Sequence, residues 1–202
     1  SYILSIHIPI IGFALIPAMN NNLPIILLPI HIVFLELIID PISSIAFETQ
    51  TLEGNVMNRP PRNPKRLFFG WSQILYSLFK GFLLLTTVFI VYFIARNGIH
   101  TNESIRGLIF SSLILGNVAL IWSSLSSRPN INPFLIVKNK FAVVILSLAL
   151  LILSLILVIP QLGTLFKISN PGLKNLILIL AATVAFFICL EGSKLVYRKN
   201  KP

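Results

Sequence analysis

The sequence predicts an all-α membrane protein, a bundle of six transmembrane helices with the second broken near Pro41. Three observations carry this. The 202 residues are 55% hydrophobic, and the mean hydropathy is +0.89. Only 11% are charged, against about 25% in a soluble domain, so the expected solvent for much of the chain is lipid. Apolar runs near the length of about 20 residues that a helix needs to span a bilayer recur between polar connectors.

The first run, "YILSIHIPIIGFALIP" at 2–17, is short for a span. It opens abruptly, with no initiator Met and no signal-peptide pattern, as expected of a chain cut at its front. "PAMNNNLP" connects it to the second run, 24–47, which contains "LPIHIVFLELIIDPISSIAF". Residues 48–73 form the one long polar loop, carrying "RPPRNP". Runs at 75–95, 105–125, 141–159 and 173–195 complete the six. Pro9, Pro17, Pro24, Pro29 and Pro41 crowd the first two helices, while Pro160 only ends the fifth, so the last four read as a regular scaffold without internal repeats. Cys189 lies inside an apolar run and reads as a small buried packing residue.

A net charge of +10 in a soluble protein would suggest nucleic acid. Here the basic residues flank apolar runs, which points to membrane topology and no nucleic-acid partner. The long loop (Arg59, Arg62, Lys65, Arg66), the later loop (Arg128, Lys138, Lys140) and the tail (Lys194, Arg198, Lys199, Lys201) hold eleven basic residues. The alternate loops hold four: Arg96, Arg106, Lys167 and Lys174. This bias places the long loop and both ends in the cytoplasm. Short loops and tail favour a bacterial plasma membrane.

Glu36 and Asp40 stand in the second helix among aliphatic neighbours. A central charge costs about 2.5–3.5 kcal/mol on insertion scales, so two are expected only where they face the bundle interior and find partners. Four residues apart, they share one side of a helix. Pro41 lacks a backbone N–H, which frees the carbonyl of Leu37. Two carboxylates beside a free carbonyl are hard oxygen ligands of the kind Ca²⁺, Mg²⁺ or Mn²⁺ takes. The competing explanation is an acid pair neutralised by protonation or by Lys80.

The first helix repeats the theme weakly: Pro9 frees the carbonyl of Ser5, and His7 is a ligand, proton carrier or packing residue. His31 reads as structural and His100 as solvated. Asn117 in the fourth helix, with Ser123 and Ser124 beyond it, is either a ligand or an interhelical hydrogen-bonding residue. Glu191 is expected to pair with Lys194 or Arg198.

"LPIHIVFLELIIDPISSIAFE" followed by "EGNVMNRPPRNPKRLF" resembles the region from the fifth to the seventh helix of P-type cation-transporting ATPases. "SSLILGNVALIWSSLSSRP" and "VIPQLGTLFKI" resemble that family's eighth helix and its link between helices nine and ten. The resemblance covers essentially residues 1–202 and implies one domain, the C-terminal membrane half of an ATP-driven pump. It implies further that Asp40 matches the acid of helix six, that Glu36 falls where calcium pumps usually have Asn, and that His7 and Ile10 fall where they use Asn and Glu. Asn117 falls near an acid position of helix eight. Ile39 replaces a hydroxyl and Pro41 a frequent Gly. The implied cargo is a divalent cation, Ca²⁺ before Mg²⁺ or Mn²⁺, held by Glu36, Asp40, Leu37, His7 and Asn117. ATP and its Mg²⁺ belong to other domains, since neither Asp-Lys-Thr-Gly nor Gly-Asp-Gly-x-Asn-Asp occurs here. The expected partners are the lipid bilayer and the N-terminal cytoplasmic and membrane domains of the same pump, with the "RPPR" loop helping to hold them. The alternatives are a self-contained six-helix ion- or proton-coupled carrier and a non-transporting scaffold subunit.

Overall fold

The computed structural model describes residues 2–19, 25–48, 70–98, 101–125 and 140–199. They are helical, with no strand among them. The elements are α1 (Tyr2–Met19), α2 (Pro29–Phe34), a π-helical turn (Leu35–Ile39), α3 (Asp40–Glu48), α4 (Trp71–Ala95), a short 3₁₀ turn (Arg96–Gly98), α5 (Asn102–Ser124), α6 (Lys140–Val158), α7 (Pro160–Phe166) and α8 (Leu173–Lys199).

Local chemistry sets the ends of these elements. Thr101 caps α5 by accepting a bond from the Ser104 amide, with Glu103 in the first turn, where a negative charge suits the helix dipole. Pro29 and Pro160 stand at the first helical positions of α2 and α7, where the missing N–H leaves nothing unsatisfied. The end of α7 is closed by Lys167 in the left-handed conformation, φ 51°. Its amide bonds to the Thr164 carbonyl and that of Ile168 to the Gly163 carbonyl, the crossed pair that ends helices with a left-handed residue.

α5 is the centre of the bundle. Of its apolar window 72% is buried, against 39% for α4 and 17% for α8. Leu108, Ile109, Phe110, Leu113 and Ile114 are sealed on every side, as expected of a helix that is apolar all round and surrounded by others. α4 lies between α1, α5 and α8. The outward faces of α4 and α8 present Leu75, Phe79, Phe82, Leu180, Val184 and Ile188. So much exposed apolar surface belongs in lipid rather than water.

Among the described residues three helices are long and apolar enough to cross a membrane: α4, α5 and α8. α6 from Ser147 on and α7 are long and apolar enough only when taken together, and the pair is bent by 96° at the break between them. The expected bundle of six helices, with the first short and the second broken near Pro41, takes more particular form in three places. α1 has an apolar stretch of shorter length, Tyr2–Leu15. The second predicted helix is not interrupted at Pro41; its helical path runs on through Pro41, and the irregularity is the π turn just before it. A proline ring clashes with the carbonyl four residues back, and a widened turn relieves that clash. Finally, Pro160 does more than end the fifth run: it starts a new helix nearly perpendicular to the first, so this part of the scaffold is not regular. Cys189, expected in the core, is exposed on α8. α8 is apolar on all sides, so its sequence does not show which face is packed.

Close approach between helices depends on glycine at two points. A Cβ at Gly81 would stand 2.7 Å from the Ser5 carbonyl and 2.5 Å from Ile8 of α1. The Ser5 carbonyl, which Pro9 deprives of its helical donor, thus lies against α4. A Cβ at Gly116 would stand 2.3 Å from Leu84.

Candidate functional site

The π turn places Glu36 opposite α1, where His7 Nε2 lies 3.2 Å from Glu36 Oε2. The other ring nitrogen, Nδ1, is 2.8 Å from the Ile3 carbonyl one turn earlier. A carbonyl only accepts, so Nδ1 carries a proton and the ring is held with Nε2 toward Glu36. A hydrogen bond across the 3.2 Å gap then requires one more proton on the pair, either on the imidazole or on the carboxylate. Both side chains are about one-third exposed, so Glu36 is open to a ligand from one side. This contact links α1 to the irregular turn of the next helix.

Leu37 turns its side chain outward, 71% exposed, so only its carbonyl is available to a cation. The Asp40 side chain, the loop carrying "RPPRNP" and His100 lie outside the described residues. The Ser5 carbonyl lies against Gly81 of α4.

Asn117 is 1% exposed on α5, and its Oδ1 has no hydrogen-bond partner among the described residues. Its expected role as a bond between helices is therefore not seen at that atom. Buried amide oxygens are rarely left unsatisfied, and one that is calls for an explanation. Ser123 and Ser124, further along α5, also have unbonded hydroxyls. Among the described residues no three or more His, Cys, Asp or Glu side chains gather into a metal-binding group.

Lys80, named as a possible partner for the acid pair, is committed elsewhere. Its ammonium lies 4.6 Å from the centroid of Tyr76, over an aromatic face that attracts cations. It is buried close to Glu191 and Lys194. Glu191 and Lys194 form the expected ion pair at 2.6 Å, and Tyr76 bonds to Ser193 at 2.9 Å. This buried polar knot between α4 and α8 was only half visible in the sequence. Its signal was two opposite charges, Lys80 and Glu191, each at depth in a different apolar run.

The family model for "Cation transporting ATPase, C-terminus" matches residues 24–196. The chain belongs to this family. The domain is the membrane part of a P-type cation ATPase, and membership does not favour the self-contained carrier. No curated protein matches the chain. In the cation-transporting ATPase domain, the matched region takes in the π turn, Glu36, Asp40 and Asn117, and begins after His7.

Proposed function

We propose that this domain supplies a divalent-cation site of the pump, built on Glu36, Asp40 and the Leu37 carbonyl, with His7 and Asn117 as further ligands. Ca²⁺ is the first candidate; Mg²⁺ and Mn²⁺ are the alternatives. The observation that carries the reading is the carboxylate of Glu36 held on a π turn, facing α1. π turns often occur at functional sites, and intramembrane acids are functional by default.

The chemistry follows from the donors. Glu36 and Asp40 neutralise a divalent charge, and hard oxygens suit Ca²⁺, Mg²⁺ and Mn²⁺. The unbonded Oδ1 of Asn117 is an acceptor that a cation would satisfy. When the cation takes the Glu36 oxygen it displaces the proton between Glu36 and His7 Nε2, so loading and unloading alter the contact between α1 and the π turn. This is a physical route by which movement of α1 changes affinity. The domain lies in the membrane through six passes in the proposed arrangement, with the "RPPR" loop and both ends in the cytoplasm of a bacterial cell. ATP is hydrolysed in the pump's other domains.

The test is cation-dependent phosphorylation of the full-length pump carrying Glu36→Gln or Asp40→Asn, measured across Ca²⁺, Mg²⁺ and Mn²⁺. A loss of apparent affinity of about a hundredfold or more is expected, since a lost charge partner of a bound ion costs about 3 kcal/mol or more. Normal affinity in both variants would defeat the assignment.

A further inference from the structure

We propose that His31 is a positioning residue that locks the start of the Glu36 helix to the elbow between α6 and α8, and that a second proton on its imidazole opens the lock. The inference takes from the proposed function only that Glu36 binds the cation.

His31 is fully enclosed, and its two ring nitrogens face partners of opposite kind. The Leu28 amide donates to Nδ1 at 3.2 Å. Nε2 donates to the Phe166 carbonyl at 2.7 Å, 135 residues away in sequence. Both partners are groups that helix ends leave over. The Leu28 amide precedes the first turn of α2. The Phe166 carbonyl ends α7, where the crossed backbone bonds serve Gly163 and Thr164 instead. One neutral imidazole therefore satisfies an orphan donor of one helix and an orphan acceptor of another. Phe110 and Phe166 hold the ring, with centroids 5.1 Å and 6.3 Å away.

The elbow is itself fastened to α5. Ser104 and Ser169 hydroxyls are 2.7 Å apart, the Ser169 amide donates to the Glu103 carbonyl, and Gly107 leaves room for the Ser169 carbonyl. Arg106 Nε bonds the Ile25 carbonyl at 3.1 Å. The segment entering α2 is thus tied at Ile25 and His31 to one block made of α5, α7 and the link that follows α7. Glu36 lies five residues beyond His31, within the π turn. While the lock holds, Glu36 can move only by deformation of that turn.

A second proton has one place to go, Nδ1, where it meets the Leu28 N–H. Two donors then face each other and the bond is lost. Among the described residues the charged groups at this end are Arg96 after α4, Glu103 and Arg106 of α5, Lys167 at the end of α7 and Lys174 at the start of α8; enclosure opposes charge on the ring most, and Arg106 adds to that. This end lies away from the basic loop, so the side of the membrane opposite that loop is the one whose acidity would reach it.

The experiment uses the full-length pump in lipid nanodiscs. His31→Gln preserves both bonds through its amide, which does not titrate; His31→Ala removes them. Amide exchange of residues 25–34, corrected for chemical exchange rates, is measured at about pH 7.5 and at about pH 4, well below the ordinary imidazole value of about 6.5, because enclosure of the ring and the Arg106 charge near it make a second proton costly. Wild type should exchange about tenfold faster at the lower pH, His31→Gln equally at both, and His31→Ala fast at both. Apparent cation affinity should weaken severalfold in His31→Ala and recover in His31→Gln, with the maximal phosphoenzyme level unchanged. A His31→Gln protein that follows the wild-type pH response, or a His31→Ala protein that stays protected, overturns the proposal. Exchange reads the lock without reference to the ion. Failure of the cation site shows instead as normal cation-dependent phosphorylation in Glu36→Gln.

Discussion

Replacing Gly81 with alanine tests whether α1 and α4 approach as closely as the structure shows. The new Cβ would lie 2.7 Å from the Ser5 carbonyl oxygen, where ordinary contacts begin at 3.4 Å. Ile8 can rotate its terminal methyl away, but a backbone carbonyl cannot. α1 must therefore withdraw by the difference, about 0.7 Å, if α4 stays in place. The neighbouring bond from Ser5 Oγ to the Ser77 carbonyl, now 2.9 Å, would lengthen to about 3.6 Å, past the useful range. Overpacking costs about 1–3 kcal/mol and the lost bond about 0.5–1.5 kcal/mol, so a destabilisation of about 2–4 kcal/mol is expected. His7 is two residues from Ser5, so its contact with Glu36 should open as well and cation affinity should change. The assays are thermal unfolding of the full-length pump in nanodiscs and cation-dependent phosphorylation. Gly192→Ala is the control: nothing lies within 4 Å of its added Cβ, and alanine should hold the helix better by up to about 1 kcal/mol. If Gly81→Ala unfolds with wild type and keeps its cation affinity, the packing argument is wrong.

Three other predictions follow from the same geometry. Glu191→Gln should destabilise more than Lys194→Met, because it leaves the buried Lys80 and Lys194 ammoniums with no anion, whereas Lys194→Met leaves Glu191 to Lys80. Breaking a buried pair costs about 3–5 kcal/mol; equal unfolding temperatures for the two variants would count against this charge arrangement. Asn117→Leu should weaken cation binding while leaving stability equal or higher, since the Oδ1 it removes is buried without a partner, a state worth about 1–3 kcal/mol; a variant that is less stable and binds normally would show a packing role. Gly107→Ala puts a Cβ 2.3 Å from the Ser169 carbonyl and should part the Ser104–Ser169 contact, speeding amide exchange around residues 101–107; unchanged exchange there would refute the close fit.

How legible the site was varies by residue. The pairing of Glu191 with Lys194 could be read from three-residue spacing alone, because a helix brings such residues together wherever it sits. The role of Glu36 could be suspected because a charge in an apolar run needs a reason. That His7 meets it, while the Ser5 carbonyl two residues earlier meets Gly81, could not be read, since a proline frees a carbonyl without fixing the direction of the nearest neighbour. Lys80 was equally ambiguous: its depth was plain, but not that its neighbours were Tyr76, Glu191 and Lys194.

The sequence by itself determined the class of this protein: a helical membrane domain, with acids and prolines gathered in its first two helices and a basic loop after them. Those properties depend on composition and local periodicity, which are present in the chain before it folds. The tertiary structure decided which face of each helix was packed, leaving Cys189 outside and α5 enclosed, because helices apolar on every side do not record their neighbours. It also decided the shape of the breaks. A proline before the fold forms says only that one hydrogen bond is missing; the strain between neighbouring turns and the packing around them made Pro41 follow a π turn and Pro160 begin a helix bent by 96°. The bond from His31 to Phe166 is likewise a product of that bend, which carries an unsatisfied carbonyl to the start of the helix that bears Glu36.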